Sequence, residues 1–164
     1  MTELIRVLMV CTGNICRSPT AEGVLRRKLA DAGLERQVEV RSAGTVDYHA
    51  GSPPDHRAQQ TALRRGYDLS KQRARALRTD DFERFDLVVA MDIDHLDRMV
   101  EMCPGPLADR MRLLMDYSPK RPRGTGVPDP YYGAPAGFER VLDMIEEACD
   151  GLVAELRVRL GSAL

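Results

Sequence analysis

Residues 4–10, Leu-Ile-Arg-Val-Leu-Met-Val, form a short apolar run rich in branched side chains. A run of this length, closed by a glycine-containing loop, predicts a parallel strand buried on both faces. Ser18-Pro19-Thr20-Ala21-Glu22 then predicts a helix start, with Ser18 as cap, Pro19 in the first helical position and Glu22 in the first turns. Ala21, Val24, Leu25, Leu29 and Ala32 follow at helical spacing, and Gly33 is a natural stop. Residues 38–42 alternate as a strand does, and residues 45–54 read as a long loop. Asp55 opens a helix to about Arg65, ended by Gly66. Residues 85–91 predict a second buried strand, followed by a helix from about Ile93 to Met102 that Pro104-Gly105-Pro106 breaks. Residues 112–115 are a weaker strand candidate. A final helix, about Ala136 to Leu160, gathers Phe138, Val141, Leu142, Ile145, Leu152 and Leu156 on one broad face.

Strands alternating with helices predict an open, mostly parallel α/β sheet covered on both faces, a single three-layer domain spanning residues 1–164. No internal repeat or domain boundary interrupts it. Ligands of such sheets bind at the carboxyl ends of strands. The loop after the first strand falls there.

Composition narrows the chemistry. With 164 residues, the chain can bury a core without disulfides or metals. A net charge of -1 gives no global field for nucleic acid or an anionic membrane, so any bound anion must be captured locally. Cysteines stand at 11, 16, 103 and 149 without a CxxC pair, and His49, His56 and His95 do not join them at metal-ligand spacing, so neither metal nor cofactor is expected. No apolar stretch approaches the roughly 18 residues of a membrane helix. The opening Met-Thr-Glu-Leu-Ile-Arg lacks a basic leader or cleavage site. The expectation is a cytoplasmic enzyme with reduced thiols.

The chemistry concentrates in Cys11-Thr12-Gly13-Asn14-Ile15-Cys16-Arg17-Ser18. A loop from a strand end into a helix start can point successive backbone N–H groups, here those of Thr12 to Ser18, at a tetrahedral dianion. Gly13 permits close backbone approach, Asn14 tolerates a left-handed conformation, and Arg17 offers a planar fork to two phosphate oxygens. The same field favours a thiolate at Cys11. Phosphate and other tetrahedral oxyanions are expected to compete for the cradle. The loop lacks the second glycine and the lysine of a nucleotide-binding loop. Far along the chain, Asp129 lies between Pro128 and Pro130, followed by Tyr131-Tyr132-Gly133, in a Pro- and Gly-rich segment covering residues 118–137. Its carboxyl can serve as a general acid, and Asp-Pro is equally a turn signal; residue chemistry alone leaves both open.

The segment from Val10 to Pro19, with Asp129-Pro130-Tyr131-Tyr132-Gly133, resembles the low-molecular-weight protein-tyrosine phosphatases. Ser42-Ala43-Gly44 and Met91-Asp92 match as well, and the resemblance covers about residues 4 to 160. It implies a four-stranded parallel sheet and a metal-free, two-step hydrolysis of phosphotyrosine in protein substrates. By that resemblance Cys11 is the nucleophile, Arg17 binds the equatorial oxygens and Asp129 is acid and then base. Ser18 stabilises the leaving thiolate and Asn14 holds the loop shape. Tyr48, Tyr131 and Tyr132 would wall a slot deep enough for a phosphotyrosine ring. Cys16 would pair reversibly with Cys11, although a small packing residue fits that position too. The family pattern suggests a monomer with at most weak self-association. One departure is Gln72, in Ser70-Lys71-Gln72-Arg73-Ala74-Arg75, where many relatives carry a histidine behind the loop asparagine; an amide can still hydrogen-bond there.

Two other readings compete. A thioredoxin-coupled arsenate reductase would need a shuttling cysteine pair near residues 80–95, and none is present from Thr79 to His95. A non-catalytic phosphotyrosine-binding module would be expected to have lost Cys11, Arg17 or Asp129.

Overall fold

The computed structural model describes residues 4–103 and 105–161. The expected helix break at Pro104 and the first three residues of the opening segment lie outside them. Strand β1 (Ile5–Cys11) ends on the cysteine itself, and helix α1 (Arg17–Asp31) follows after five intervening residues. Then come β2 (Val38–Gly44), α2 (His56–Arg64), the short α3 (Asp81–Arg84), β3 (Leu87–Ala90), α4 (Ile93–Met102), β4 (Met111–Leu113) and α5 (Ala136–Arg159).

All strand pairings are parallel, in the order β2-β1-β3-β4. The alternation of β1 sorts its side chains into two cores. Val7, Met9 and Cys11 pack with Val24, Leu25 and Leu29 of α1 and with Leu142, Ile145 and Leu152 of α5. Leu8 and Val10 face the opposite way, against Phe82 of α3 and Met99 of α4. Both strand faces are therefore covered, which is why residues 4–10 read as a continuous apolar run. Truncating a residue such as Leu8, which has no exposed surface, would cost about 2–5 kcal/mol. The order in which strands are laid down reverses at β1: its successor β2 lies on one side and β3 on the other. The loops after β1 and β3 thus flank a switch-point crevice.

Several boundaries differ from the sequence expectation, each for a tertiary reason. β2 runs on to Gly44 because Cys11 pairs with it in register. β3 is shorter than residues 85–91, since Phe85 closes α3 and Met91 leaves the ladder. The fourth strand is Met111–Leu113, and Leu114–Tyr117 tightens into a 3-10 turn. Ser18 does not cap α1. Cys16 holds the capping position without a side-chain bond, Arg17 is the first helical residue and Pro19 the third. The Ser18 hydroxyl is occupied in the loop.

Where α5 crosses the 3-10 turn, a Cβ on Gly151 would collide with the Tyr117 carbonyl oxygen, a backbone atom with no room to yield. Gly151→Ala is expected to lower unfolding stability by about 1–3 kcal/mol despite alanine's better helix propensity. Equilibrium urea denaturation checks this; unchanged or increased stability would contradict it.

Candidate active site

The loop between β1 and α1 turns its carbonyls outward. Those of Cys11, Thr12, Ile15 and Cys16 accept N–H groups from Thr45, Val46, Asp55 and Thr20, at 2.9, 3.1, 2.8 and 3.2 Å. Among the described residues, no backbone N–H from Gly13 to Ser18 is given to another backbone group. The first turn of a helix has no internal acceptors for its donors, so α1 adds its own N–H groups to the same side. A peptide chain with outward carbonyls and uncommitted amides is an anion cradle.

Asn14 makes that shape possible. It is the one described non-glycine residue with positive φ, at 58°, and is 2% exposed. Its Nδ2 donates to Ser18 Oγ at 2.8 Å and Ser42 Oγ at 2.9 Å, while its Oδ1 accepts the Arg75 N–H at 3.0 Å. Gln72 stands one step further back: its Nε2 donates to the Pro19 carbonyl at 3.0 Å, and its Oε1 accepts from Ser42 Oγ at 3.4 Å. The glutamine therefore supports Asn14 through Ser42. Both serine hydroxyls accept from Asn14; the Ser18 hydroxyl lies 3.0 Å from Cys11 Sγ and 3.5 Å from the Ala43 carbonyl, within donating reach of both. The close backbone approach falls at Gly44, where a Cβ would lie 2.6 Å from the Thr12 carbonyl oxygen. At Gly13 a Cβ would meet side chains and no backbone, the nearest being the His49 ring edge at 3.0 Å.

Arg17 is held from the opposite side. Its Nη1 donates to Asp92 Oδ2 at 2.8 Å and to the Val127 carbonyl at 3.0 Å. Its Nη2 lies 3.4 Å from His95 Nε2 and 3.7 Å from Asp129 Oδ2. Asp92 caps α4 by accepting the His95 N–H at 3.1 Å, and the Asp92 N–H donates to His95 Nδ1 at 3.2 Å. His95 Nε2 lies 2.8 Å from Thr12 Oγ1. Burial pushes the His95 imidazole down to about 4, the Arg17 guanidinium adds to the lowering, and Asp92 opposes it. Asp92 and His95 went unrecognised in the sequence as site residues. Their signal was there, a capping aspartate and a residue three positions on, directly after a buried strand.

Asp129 is half exposed at the cleft mouth. Its Oδ1 accepts the Tyr131 N–H at 3.0 Å. The Asp-Pro segment is therefore both a turn and part of the cleft. Cys11, Thr12, Gly13, Ile15, Cys16, Arg17, Tyr48, Asp129, Tyr131 and Tyr132 line one opening of roughly 160 Å³, joined by Val46 and His49. The tyrosines behave differently from one another. Tyr48 and Tyr132 project into solvent, 88% and 90% exposed, while Tyr131 is partly buried and meets Tyr132 edge to face at 4.9 Å. His49 fills the wall between Tyr48 and Tyr131, with ring centroids 5.9 and 6.4 Å away.

All four cysteines are free. Cys16 packs with Ala58 and Phe138, and burial together with the Asp55 carboxylate pushes its thiol up. Cys149 and Cys103 belong to the two cores on either face of the sheet. Among the described residues, no His, Cys, Asp and Glu cluster could hold a metal ion, and no helix is long and apolar enough to cross a membrane.

The family model described as "Low molecular weight phosphotyrosine protein phosphatase" matches residues 6–160. A low molecular weight protein-tyrosine-phosphatase of Streptomyces coelicolor is 46% identical over 154 residues, covering 93% of each chain. A protein tyrosine phosphatase of Entamoeba histolytica, crystallised with Hepes in its active site, superposes with a TM-score of 0.89 at 35% identity, covering 96% of this chain and 99% of that one. YfkJ of Bacillus subtilis gives 0.89 at 34% identity, covering 96% and 97%.

A depressed imidazole makes stability pH-dependent with a definite sign. The unfolded chain takes up the proton first, so the contribution of His95 is complete above about pH 6.5 and is lost as pH falls toward about 4. The stability difference between wild type and His95→Asn should shrink from about pH 7 to about pH 5 in denaturant titrations. A constant difference would show that the imidazole is not held neutral.

Proposed function

The chain belongs to the low molecular weight phosphotyrosine protein phosphatase family, and on that premise we propose that it hydrolyses phosphotyrosine in proteins, and small aryl phosphates, through a cysteinyl-phosphate intermediate. The observation that carries this reading is the convergence on one cleft of the thiol of Cys11 and the fork of Arg17, from one loop, with the carboxyl of Asp129 from far along the chain.

In the first step the Cys11 thiolate attacks phosphorus; an S–P bond forms as the P–O bond to the aryl group breaks. Asp129 gives its proton to the departing phenolate oxygen. Asp92 and the Val127 carbonyl occupy Nη1 of Arg17, which leaves the Nε–Nη2 edge as the fork for two phosphoryl oxygens. The inward amides of residues 13–18 carry the charge that builds on the others. In the second step Asp129, now a carboxylate, takes a proton from water as the water oxygen attacks phosphorus. The S–P bond breaks, phosphate leaves, and the Ser18 hydroxyl donates to the returning thiolate.

The aromatic wall supports the substrate class. A phosphotyrosine ring can lie in the cleft that Tyr48, His49 and Tyr131 line while its phosphate reaches the loop floor, where Cys11 is 3% exposed. A phosphoserine side chain is too short for that depth. A reducing compartment such as the cytoplasm, which keeps Cys11 a free thiol, belongs to the same proposal.

Hydrolysis of an aryl phosphate at mildly acidic pH should persist undiminished in a chelator and fall by more than about a thousandfold in Cys11→Ser. Turnover retained by Cys11→Ser would remove the nucleophile assignment. Asp129→Ala should lose about 10²–10⁴ in kcat/KM on substrates with poorly acidic phenols, and much less where the leaving phenol is strongly acidic. Equal losses on both would argue against the acid role.

A further inference from the structure

Asp129 hangs between two anchors. On its N-terminal side Val127, 1% exposed, gives its N–H to the Met91 carbonyl at 2.8 Å and receives Arg17 on its own carbonyl. On its C-terminal side the backbone is held by a residue that takes no part in the proposed chemistry. Arg57 Nη2 donates to the Tyr131 carbonyl at 3.0 Å, and the guanidinium lies over the Tyr131 and Phe138 rings, 5.4 and 4.8 Å from their centroids.

Arg57 is itself aimed. Asp55 Oδ1 accepts its Nε at 3.2 Å and Oδ2 its Nη2 at 3.0 Å, a two-point grip. That carboxylate is fixed in turn, because Oδ1 also caps α2 by accepting the Arg57 N–H at 2.8 Å. The Asp55 N–H donates to the carbonyl of Ile15, within the nucleophile loop, at 2.8 Å. An unbroken path therefore runs from Ile15 through Asp55, Arg57 and Tyr131 to the Asp129 turn. From this geometry we infer that Arg57 is a positioning residue for the general acid, setting the carboxyl of Asp129 over the nucleophile loop by tying the two loops together.

The physical need is clear. Asp129 lies in a long, Pro- and Gly-rich connection, and a displacement of about 1 Å can cost about a hundredfold in rate. A planar guanidinium can grip a carboxylate at two points and serve a carbonyl while stacking on two rings; an ammonium has no rigid fork and no planar face to stack.

The inference rests on the reading of Asp129 as general acid, and one experiment separates the two. kcat/KM is measured for wild type, Arg57→Lys, Arg57→Met and Asp129→Ala across aryl phosphates of graded phenol acidity, with inorganic phosphate as competitive inhibitor. Arg57→Met is expected to lose about tenfold or more on phenyl phosphate, and less than about twofold where the phenol is strongly acidic. Arg57→Lys should fall between it and wild type, and phosphate inhibition should stay within about twofold because the cradle is intact. Asp55→Asn, which keeps an oxygen for the cap but drops the charge gripping Arg57, should reproduce the pattern if Arg57→Met does not fold. Losses independent of leaving group in the Arg57 or Asp55 variants, alongside a steep dependence in Asp129→Ala, would overturn the positioning role alone. No leaving-group dependence in Asp129→Ala would overturn the acid reading and this inference with it.

Discussion

The left-handed backbone of Asn14 is the constraint on which the site depends. A non-glycine residue held at positive φ costs up to about 1–3 kcal/mol and persists only where its surroundings over-determine it. Here the Asn14 side chain makes three hydrogen bonds in a buried setting. The polarity of this network is set from its two ends by backbone. The Arg75 N–H fixes which end of Asn14 is the oxygen, and the Pro19 carbonyl fixes which end of Gln72 is the nitrogen. Both serine hydroxyls between them accept from the Asn14 amide, and the Ser18 hydroxyl faces Cys11 Sγ and the Ala43 carbonyl.

The other side of the loop is built on charge. Burying a guanidinium is costly unless it is paired and hydrogen-bonded. Arg17, 4% exposed, meets that cost with the Asp92 carboxylate and the Val127 carbonyl. The same bonds aim the fork and pull the β3 end and the acid segment toward it. His95 adds a neutral edge, touching Thr12 and Arg17 without a second positive charge in the same space. One flank of the loop thus decides its backbone shape and the other decides where its cation points.

Much of this was legible in the chain. The double-faced apolar runs gave away the parallel sheet because burial on both faces removes alternation, as Leu8 and Met9 show by packing into different cores. Residues 11–18 announced an anion cradle because few other local arrangements use cysteine, glycine, asparagine and arginine in that order at a strand-to-helix junction. Other features were hidden. Ser18 looks like a cap from its neighbours, yet the loop claims its hydroxyl first, and only the fold decides that competition. His49 carries no local signal separating a wall from any other histidine.

By itself the amino-acid sequence determined the layers and the chemistry of the loop that carries Cys11 and Arg17, because periodicity and junction chemistry act between near neighbours; Asp129 stood out only through the family resemblance. The tertiary structure decided which distant groups meet: Asp92 with Arg17, Gln72 with Ser42, and Arg57 with the carbonyl of Tyr131. Such pairings span tens of residues. They arise only when parallel strands bring their carboxyl ends to a common edge, and no local pattern encodes which loops will share it.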